Sequence, residues 1–386
     1  MLSDRVEKVK PSATLEITAK AKAMREKGKD IVTFGAGEPD FDTPEHIKNA
    51  LFKAVEEGFI YYTSPKGIPE LREAISEKLK RDNGIDYGVD EIIATPGAKQ
   101  AIYEGINAIT NPGDEILIPD PWWVSYVPMV QLAEGKPVFV ATYEEDGFRL
   151  KPEAIDAKIT DRTRTIIINS PNNPTGSVLL KEDLKGIADI CKDRDLLVIS
   201  DEVYEPMSYN CAHTSIASFS GMMERTITVN GFSKAYSMTG WRLGYAAGPV
   251  DIIKAMTRIQ AHSVSNATSF VQKAGVAALN GPQDCVKEMV KEFKKRRDVI
   301  VGMLNEIEGV TCVKPSGAFY AFANCKSYEP DSFKLANYLL DNGIAVIPGG
   351  AFGEQGEGFL RLSYATSMEN IKEGVDRIER ALVRLK

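Results

Sequence analysis

The chain alternates short apolar runs with longer amphipathic stretches, which is the pattern of an α/β protein. Several apolar runs lack the alternation of a half-exposed strand, as expected for parallel strands covered on both faces. The predicted strands are Glu91–Thr95, Glu115–Ile118, Thr163–Asn169, Leu196–Ser200 and Thr226–Asn230. The predicted helices are Glu70–Arg81, Lys99–Ile109, Lys181–Arg194 and Val286–Glu308. We therefore predict a three-layer αβα fold with a mainly parallel central sheet.

The C-terminal part has a different pattern. Ala318–Phe322 and Phe359–Ser363 predict strands, and Asn370–Arg384 predicts a final helix. This arrangement indicates a smaller α+β domain. The predicted organisation is an N-terminal arm and part of the small domain over residues 1–45, a large domain over 46–285 and the small C-terminal domain over 286–386.

Composition narrows the class of protein. Of the 386 residues, 43% are apolar and 26% are charged, which is ordinary for a globular protein in water. The net charge of −7 gives no reason to expect nucleic-acid binding. No uncharged run reaches the roughly 18 residues of a membrane span, and the first residues lack a signal-peptide core. The five cysteines are scattered and predict free thiols in a reducing compartment, so we expect a cytoplasmic protein.

The residues that follow the predicted strands point to one site. Ligands of open α/β sheets gather at the carboxyl ends of the strands. These ends would bring together a glycine turn, an aromatic plate, an amide, a carboxylate with a phenol, and an amine. The five segments are Pro96–Lys99, Pro119–Trp123, Ser170–Asn173, Asp201–Tyr204 and Gly231–Lys234.

Lys234 and Asp201 carry the most specific chemistry. A lysine can form a Schiff base with a carbonyl and can move a proton at the substrate Cα. An aspartate in the same site can keep a pyridine nitrogen protonated, so that the ring acts as an electron sink. The alternatives are a solvated loop lysine and an aspartate that caps a helix. The pair is typical of a pyridoxal 5′-phosphate (PLP) enzyme.

Three further segments suit a phosphorylated ring, although each has a plainer interpretation. Gly97, Ala98 and Lys99 precede a helix whose free N–H groups would bind an anion, or they form a simple strand-to-helix turn. Arg242 would bind the same phosphate with two hydrogen bonds, or it forms a surface ion pair. Trp123 would stack on the ring, or it belongs to the core.

Tyr204 and Asn173 would donate hydrogen bonds to the ring phenolate oxygen, although Asn173 also lies in a segment, 171–176, that is typical of turns. Arg361 would present a planar fork to a substrate carboxylate, or it is a solvated edge residue. The three histidines lie far apart, so no zinc or other metal site is expected. The sequence has no dinucleotide-binding, phosphate-loop or nucleophile-elbow motif.

These motifs resemble those of the fold-type I PLP enzymes, and specifically the class I aminotransferases. The resemblance spans nearly the whole chain in the order typical of the family. The matching stretches are Gly35–Phe41, Tyr62–Gly67, Ser170–Gly176, Asp201–Tyr204, Ser233–Lys234, Met238–Tyr245 and Arg361.

The resemblance implies a role for each residue. Lys234 would carry the cofactor, Asp201 would pair with its pyridinium nitrogen, and residues 46–285 would form the PLP-binding domain. Tyr62 would contact the phosphate in the other subunit, which implies a homodimer with shared active sites. The other implied contacts are Asn173 and Tyr204 to the phenolate oxygen, Arg242 and the Gly97–Lys99 amides to the phosphate, Ser233 to the cofactor, Trp123 to the ring, and Arg361 with Gly37, Trp123 and Asn173 to the substrate.

The segment Lys10–Thr14, together with Lys99, resembles the bacterial and archaeal aspartate and prephenate aminotransferase branch. In that branch Ser12, Thr14 and Lys99 would recognise a distal carboxylate, and Lys10 would favour prephenate. No arginine occurs between residues 258 and 296, where animal-type aspartate enzymes would carry their distal-carboxylate arginine. Acidic-substrate binding would therefore depend on Lys99.

The implied reaction is a ping-pong amino transfer through pyridoxamine phosphate. The expected donor is L-aspartate and the expected acceptor is 2-oxoglutarate, with prephenate as a further acceptor. Aromatic or alanine aminotransferase activity, or a PLP carbon–sulfur β-lyase of the same fold, remains open. A non-enzymatic regulator would need a DNA-binding segment, for which about 30 residues before Gly35 are too few.

Overall fold

A computed structural model describes residues 2–9, 11 and 13–385, without the side chain of Ala13. Lys10 and Ser12, predicted to bind substrate, lie outside the described residues. The helices are α1 (Asp4–Glu7), α2 (Ala13–Glu26), α3 (Glu45–Glu56), α4 (Pro69–Lys78), α5 (Ala98–Ile109), α6 (Tyr126–Leu132), α7 (Pro152–Asp156), α8 (Lys181–Asp193), α9 (Phe232–Ala235), α10 (Val250–Ser263), α11 (Ser269–Asn280), α12 (Asp284–Glu306), α13 (Ser332–Asp341) and α14 (Met368–Leu385). The strands are β1 (Val32–Thr33), β2 (Ile92–Thr95), β3 (Glu115–Asp120), β4 (Lys136–Ala141), β5 (Thr163–Asn169), β6 (Leu197–Asp201), β7 (Thr226–Gly231), β8 (Gly244–Ala247), β9 (Thr311–Cys312), β10 (Tyr320–Asn324), β11 (Ile344–Ala345), β12 (Ile347–Pro348) and β13 (Phe359–Ser363).

The central sheet has seven strands in the order β2-β8-β7-β6-β5-β3-β4. Strands β4, β3, β5, β6 and β7 are parallel neighbours. Strand β8 is antiparallel to both β2 and β7, so β2 runs in the same direction as the rest. The carboxyl ends of six strands therefore lie at one edge of the sheet.

Helices cover both faces of this sheet. Along β5, Ile167 packs in the cluster that contains α5, α6 and α10, whereas Ile166 and Ile168 pack in the cluster that contains α8. Successive residues of a strand point to opposite faces, so an apolar run without alternation buries both of them. The predicted three-layer αβα fold is confirmed.

The remaining elements form a smaller α+β unit. Its antiparallel sheet has the order β12-β13-β10-β9, and it packs with α12, α13 and α14 in one apolar cluster. The N-terminal strand β1 pairs in parallel with β11, with Val32 opposite Ile344. The N-terminal segment thus packs on the C-terminal part of the chain. Helix α12 runs through the predicted boundary between residues 285 and 286.

Some elements differ from the sequence predictions. Strands β4 and β8 were missed because β4 is an edge strand that contains Pro137, and β8 consists mainly of glycine and alanine. The predicted strand Ala318–Phe322 begins instead at Tyr320, because Ala318 has a φ of +57° and cannot continue a strand. Helix α4 ends at Lys78 and continues as a π-helical turn, Leu79–Asn83. Among the described residues, no helix combines the length and apolarity that a membrane crossing requires.

Candidate active site

A cavity of about 360 Å³ lies where the strand ends of the large sheet face the small unit. Of the predicted site residues that the structure describes, its wall contains all except Gly97 and Tyr62. These wall residues are Thr14, Gly37, Ala98, Lys99, Trp123, Asn173, Asp201, Tyr204, Ser233, Lys234, Arg242 and Arg361. Residues from helix α2 and from several strand ends and loops, far apart in sequence, thus converge on one cavity.

Lys234 lies in the single helical turn α9, which begins as soon as β7 ends. Its ammonium donates a hydrogen bond to the carbonyl oxygen of Gly37 and lies 5.9 Å from the centre of the Phe319 ring. Burial lowers the pKa of Lys234 to about 8, and the positive charges of Arg361 and Arg242 act in the same direction. At pH 7 roughly a tenth of this amine is therefore free base, far more than for an ordinary lysine.

Asp201 is the last residue of β6, and only 4% of it is exposed. Its Oδ2 accepts a hydrogen bond of 2.6 Å from the hydroxyl of Tyr126. Burial raises the pKa of Asp201 to about 6, although this hydrogen bond opposes the shift. No helix begins at Asp201, because the next helical turn starts at Glu205. The aspartate thus points a buried carboxylate toward the cavity instead of capping a helix.

Tyr320 contacts both Tyr204 and Arg361. The hydroxyls of Tyr204 and Tyr320 are 2.8 Å apart, and the guanidinium of Arg361 lies 4.6 Å from the centre of the Tyr320 ring. Arg361 donates to Asn173 Oδ1 and to the carbonyl of Gly35, each at 3.0 Å. Its buried Nε has no hydrogen-bond partner among the described residues. The guanidinium is therefore rigidly held, and its Nε–H is a buried donor without a partner.

The turn before α5 brings main-chain donors close to Arg242. Gly97 has a φ of +87°, and a Cβ there would lie 2.4 Å from Arg242 Nη2, so only glycine fits. The N–H of Gly97 already donates to Thr95, which leaves the amides of Ala98 and Lys99 in the first helical turn. Arg242 donates to the carbonyls of Thr239 and Pro96. Helix dipole and guanidinium together form an anion-binding corner.

Trp123 and the side chain of Lys99 lie together in the cavity wall. The ammonium of Lys99 lies 5.0 Å from the centre of the Trp123 ring. Burial, and secondarily the charge of Arg242, lowers the pKa of Lys99. Trp123 also packs edge-on against Tyr126 at 5.2 Å, so it contacts the residue that binds Asp201. Thr14 of helix α2 also lines the cavity.

Tyr62 is separate from this cavity. It is 88% exposed and stands beside other exposed apolar side chains. The exposed apolar residues of this region are Phe52, Val55, Ile60, Tyr61 and Tyr62. These five exposed apolar residues lie between residues 52 and 62 of the chain. Exposed apolar side chains that lie together are typical of a protein–protein contact.

Sequence reasoning missed Tyr126, whose hydroxyl binds Asp201, and Tyr320, whose hydroxyl contacts that of Tyr204. Tyr126 lies three residues after Trp123, so a helix beginning there would have placed both on one face. Tyr320 precedes no recognised motif, and only its pairing opposite Ser363 brings it to the site.

A buried ionic network lies behind the site, where the sequence indicated no metal centre. Glu202, Glu205 and His213 each place one ligand atom within 4.8 Å of the others. The two carboxylates are engaged, since Glu202 binds His213 Nε2 at 3.0 Å and Glu205 forms an ion pair with Lys78. The buried Nδ1 of His213 has no hydrogen-bond partner among the described residues.

Comparison with known proteins identifies the class. Residues 29–378 match the family model described as aminotransferase class I and II, and the chain belongs to this family, which confirms the resemblance. It is 45% identical to an aspartate aminotransferase of Bacillus subtilis, over 98% of each chain. It is 48% identical to a probable aspartate/prephenate aminotransferase of Aquifex aeolicus, over 99% of this chain and 98% of the other. The solved structure of the aspartate aminotransferase from Thermus thermophilus with maleate matches with a TM-score of 0.95 and 43% identity, covering 99% of each chain.

Proposed function

We propose that this aminotransferase uses PLP to move the amino group of L-aspartate to a 2-oxo acid, with 2-oxoglutarate as the main acceptor. The observation that carries the proposal is the placement of Lys234, Asp201 and Arg361 around one cavity. Aspartate as the donor is supported by the names of the relatives from Bacillus subtilis and Thermus thermophilus. Prephenate as a further acceptor is supported by the Aquifex aeolicus relative.

The residues of the cavity fit PLP. The anion-binding corner formed by Gly97, Ala98, Lys99 and Arg242 suits its phosphate, and the buried carboxylate of Asp201 suits a protonated ring nitrogen. Tyr204 and Asn173 would donate to the phenolate oxygen. The remaining proposed cofactor contacts are Trp123, stacked on the ring, and Ser233.

When bound, PLP supplies an aldehyde that condenses with amines and a ring that withdraws electrons from the substrate Cα. The chain supplies proton transfer and orientation. Lys234 would accept the proton from the substrate Cα as a free amine, which its lowered pKa of about 8 favours. It would then return a proton to the carbon atom that was the aldehyde carbon of the cofactor. The carboxylate of Asp201 would stabilise the positive charge of the protonated ring nitrogen.

Arg361 would bind the α-carboxylate of the substrate through its fork, beside the main chain of Gly37. Because Arg361 is fixed by Asn173 and Gly35, the bound Cα would face Lys234 without reorganisation of the guanidinium. Lys99 and Thr14 would bind the distal carboxylate, with Lys10 and Ser12 as further proposed contacts. A second carboxylate contact would discriminate aspartate and glutamate from alanine.

We also propose a homodimer in which Tyr62 reaches the phosphate site of the other subunit. The exposed apolar residues around Tyr62 support the dimer, because removing apolar side chains from water lowers the free energy of the system. Mixing a Lys234→Ala protein with a Tyr62→Phe protein would test the shared site. The dimer model expects one fully native site per mixed dimer and thus partial recovery of activity.

A cytoplasmic location is proposed from the cysteines. All five are free, which suits a reducing compartment. Cell fractionation with antibody detection would test this location.

The reaction is tested by the absorbance of the PLP-loaded protein after addition of single amino acids. L-aspartate should convert the spectrum, and 2-oxoglutarate or prephenate, in separate trials, should reverse it. A spectrum that does not change with aspartate or glutamate would contradict the acidic-donor assignment. Pyruvate and ammonia released from a cysteine conjugate would indicate the carbon–sulfur lyase instead.

A further inference from the structure

Asp120 joins the large sheet to the small unit without lining the cavity. It is the last residue of β3 and is 3% exposed. Its Oδ2 accepts from the N–H of Glu354 at 3.1 Å, and its Oδ1 accepts from the N–H of Gln355 at 3.2 Å. These N–H groups open a 3₁₀ turn, Glu354–Gly356, between β12 and β13. A carboxylate of the large sheet thus caps a turn of the small unit.

A second hydrogen bond and a glycine complete this contact. The N–H of Trp122 donates to the carbonyl of Phe352 at 2.8 Å. Gly353 has a φ of +123°, and a Cβ there would lie 2.1 Å from Asp120 Oδ1 and 2.5 Å from the Trp122 ring. Only glycine allows this close approach, so the turn is shaped to receive the carboxylate.

The contact between Asp120 and the turn Glu354–Gly356 lies between two walls of the cavity. On one side, Trp123 follows Asp120 by three residues and lines the cavity. On the other side, the ring of Phe352 lies 5.0 Å from the guanidinium of Arg361. Strand β13, which carries Arg361, begins three residues after the capped turn ends. A shift of the turn would therefore be transmitted to Arg361 through packed side chains and a short length of chain.

The need for directional binding explains why a carboxylate occupies this position. Burial raises the pKa of Asp120 to about 6, and the nearby charge of Glu354 adds to the shift. An ionised group there costs folding free energy at neutral pH. The N–H of Gln355 is shared between both oxygens of Asp120, at 3.2 Å from Oδ1 and 3.3 Å from Oδ2. A neutral amide would fill the same space, but its NH2 group would replace one of these two acceptors. Two acceptor oxygens satisfy both donors.

We propose that Asp120 is a positioning residue of the active site, which holds the Arg361 wall of the cavity in register with the Trp123 wall. It thereby sets the affinity for the substrate carboxylate while leaving the proton-transfer residues unchanged. The inference rests on the proposed function, because it takes Arg361 as the ligand of that carboxylate.

The test compares Asp120→Asn with the wild type as PLP-loaded enzymes. We expect KM for L-aspartate and Kd for succinate, a non-reactive dicarboxylate, to rise about fivefold to tenfold, with kcat changed less than about twofold. Hydrogen exchange of residues 349–363 should accelerate at least about tenfold. The matched control is Asp331→Asn, because Asp331 also accepts two main-chain N–H groups in the small unit, from Phe333 and Lys334. It should leave KM unchanged.

Each outcome decides the proposal. Unchanged exchange and unchanged KM in Asp120→Asn would overturn it, and so would a lower melting temperature with wild-type KM, which would indicate a purely structural role. Failure of the proposed function is separable. If Arg361→Lys leaves succinate affinity unchanged, Arg361 is not the carboxylate ligand, and the exchange measurement still decides whether Asp120 holds the turn.

Discussion

Lys234, Asp201 and Tyr204 come from adjacent strand ends of one parallel sheet, whereas Arg361 and Tyr320 come from the antiparallel sheet of the small unit. The first group is held by a hydrogen-bonded ladder, in which β6 and β7 pair directly. The second group reaches the cavity only because two units pack together. The side proposed to bind the cofactor is thus part of a rigid element, and the side proposed to bind the substrate depends on how the units are placed. Changes on the two sides should therefore affect different kinetic parameters.

The largest effect should come from Lys234→Ala on the cofactor side. Without the amine there is neither a covalent cofactor link nor a base at Cα, so kcat should fall by at least about 10⁴-fold. Stopped-flow measurement of a single half-reaction with aspartate checks this. Lys254→Ala, a surface lysine paired with Asp251, is the control and should retain full activity. Wild-type turnover by Lys234→Ala would remove the central assignment.

Arg361→Lys should show the opposite signature, on the substrate side. A lysine cannot present the planar fork, so kcat/KM for aspartate should fall about 10²-fold to 10³-fold, mainly through KM. Steady-state kinetics over a wide substrate range checks this. Arg297→Lys is the matched control, since Arg297 is also buried and donates to Pro315 but lies outside the cavity. It should lower the melting temperature and leave KM unchanged. If Arg361→Lys and Arg297→Lys had equal KM values, Arg361 would have no special role in substrate binding, and the proposed difference between the two sides would be wrong.

The pH dependence of cofactor capture should report the lowered pKa of Lys234. Only the free amine attacks an aldehyde, so the rate at which apoenzyme captures PLP should rise about tenfold per pH unit below 8 and level off above it. The absorbance of the bound cofactor follows this rate. A simple alkylamine in solution serves as reference and should continue to rise to higher pH. A plateau for the protein near pH 10 would contradict the effect of burial.

Tyr126→Phe should weaken the cofactor side without removing any group that touches substrate. Losing the hydroxyl removes the 2.6 Å hydrogen bond to the ionised Asp201, which raises the pKa of that carboxyl further and should lower kcat about tenfold. The acid limb of the kcat profile should move to higher pH. Tyr338→Phe, which loses a hydrogen bond to Ala381 in the small unit, is the control. An unchanged acid limb would show that Tyr126 does not tune Asp201.

The smallest effect should come from Lys99→Ala. Loss of one partly exposed charge should lower kcat/KM for aspartate about fivefold more than for alanine, because only aspartate has a distal carboxylate. Lys136→Ala, which removes a lysine paired with Glu115, controls for net charge. Equal losses for both substrates would exclude Lys99 from distal-carboxylate recognition.

The layers of the fold and the chemistry at the strand ends could be predicted from the residues alone. Apolar runs and the groups that follow them are local patterns, so they suffice to assign Lys234, Asp201, Asn173 and Tyr204 to one edge of a parallel sheet. Strands β4 and β8 were not predicted because their residues have a low preference for strands. Lys10 and Ser12 remain predictions.

The side chains that hold those groups in place could not be predicted from the residues alone, because they depend on how distant elements pack. The hydrogen bond from Tyr126 to Asp201 joins residues 75 positions apart, and the one between Tyr204 and Tyr320 joins residues 116 apart. Asp120 reaches Glu354 across 234 positions. Periodicity reports how a residue relates to its neighbours in the chain. The partner of a buried polar atom is chosen by the packing of whole elements, which brings together donors and acceptors that no local pattern connects.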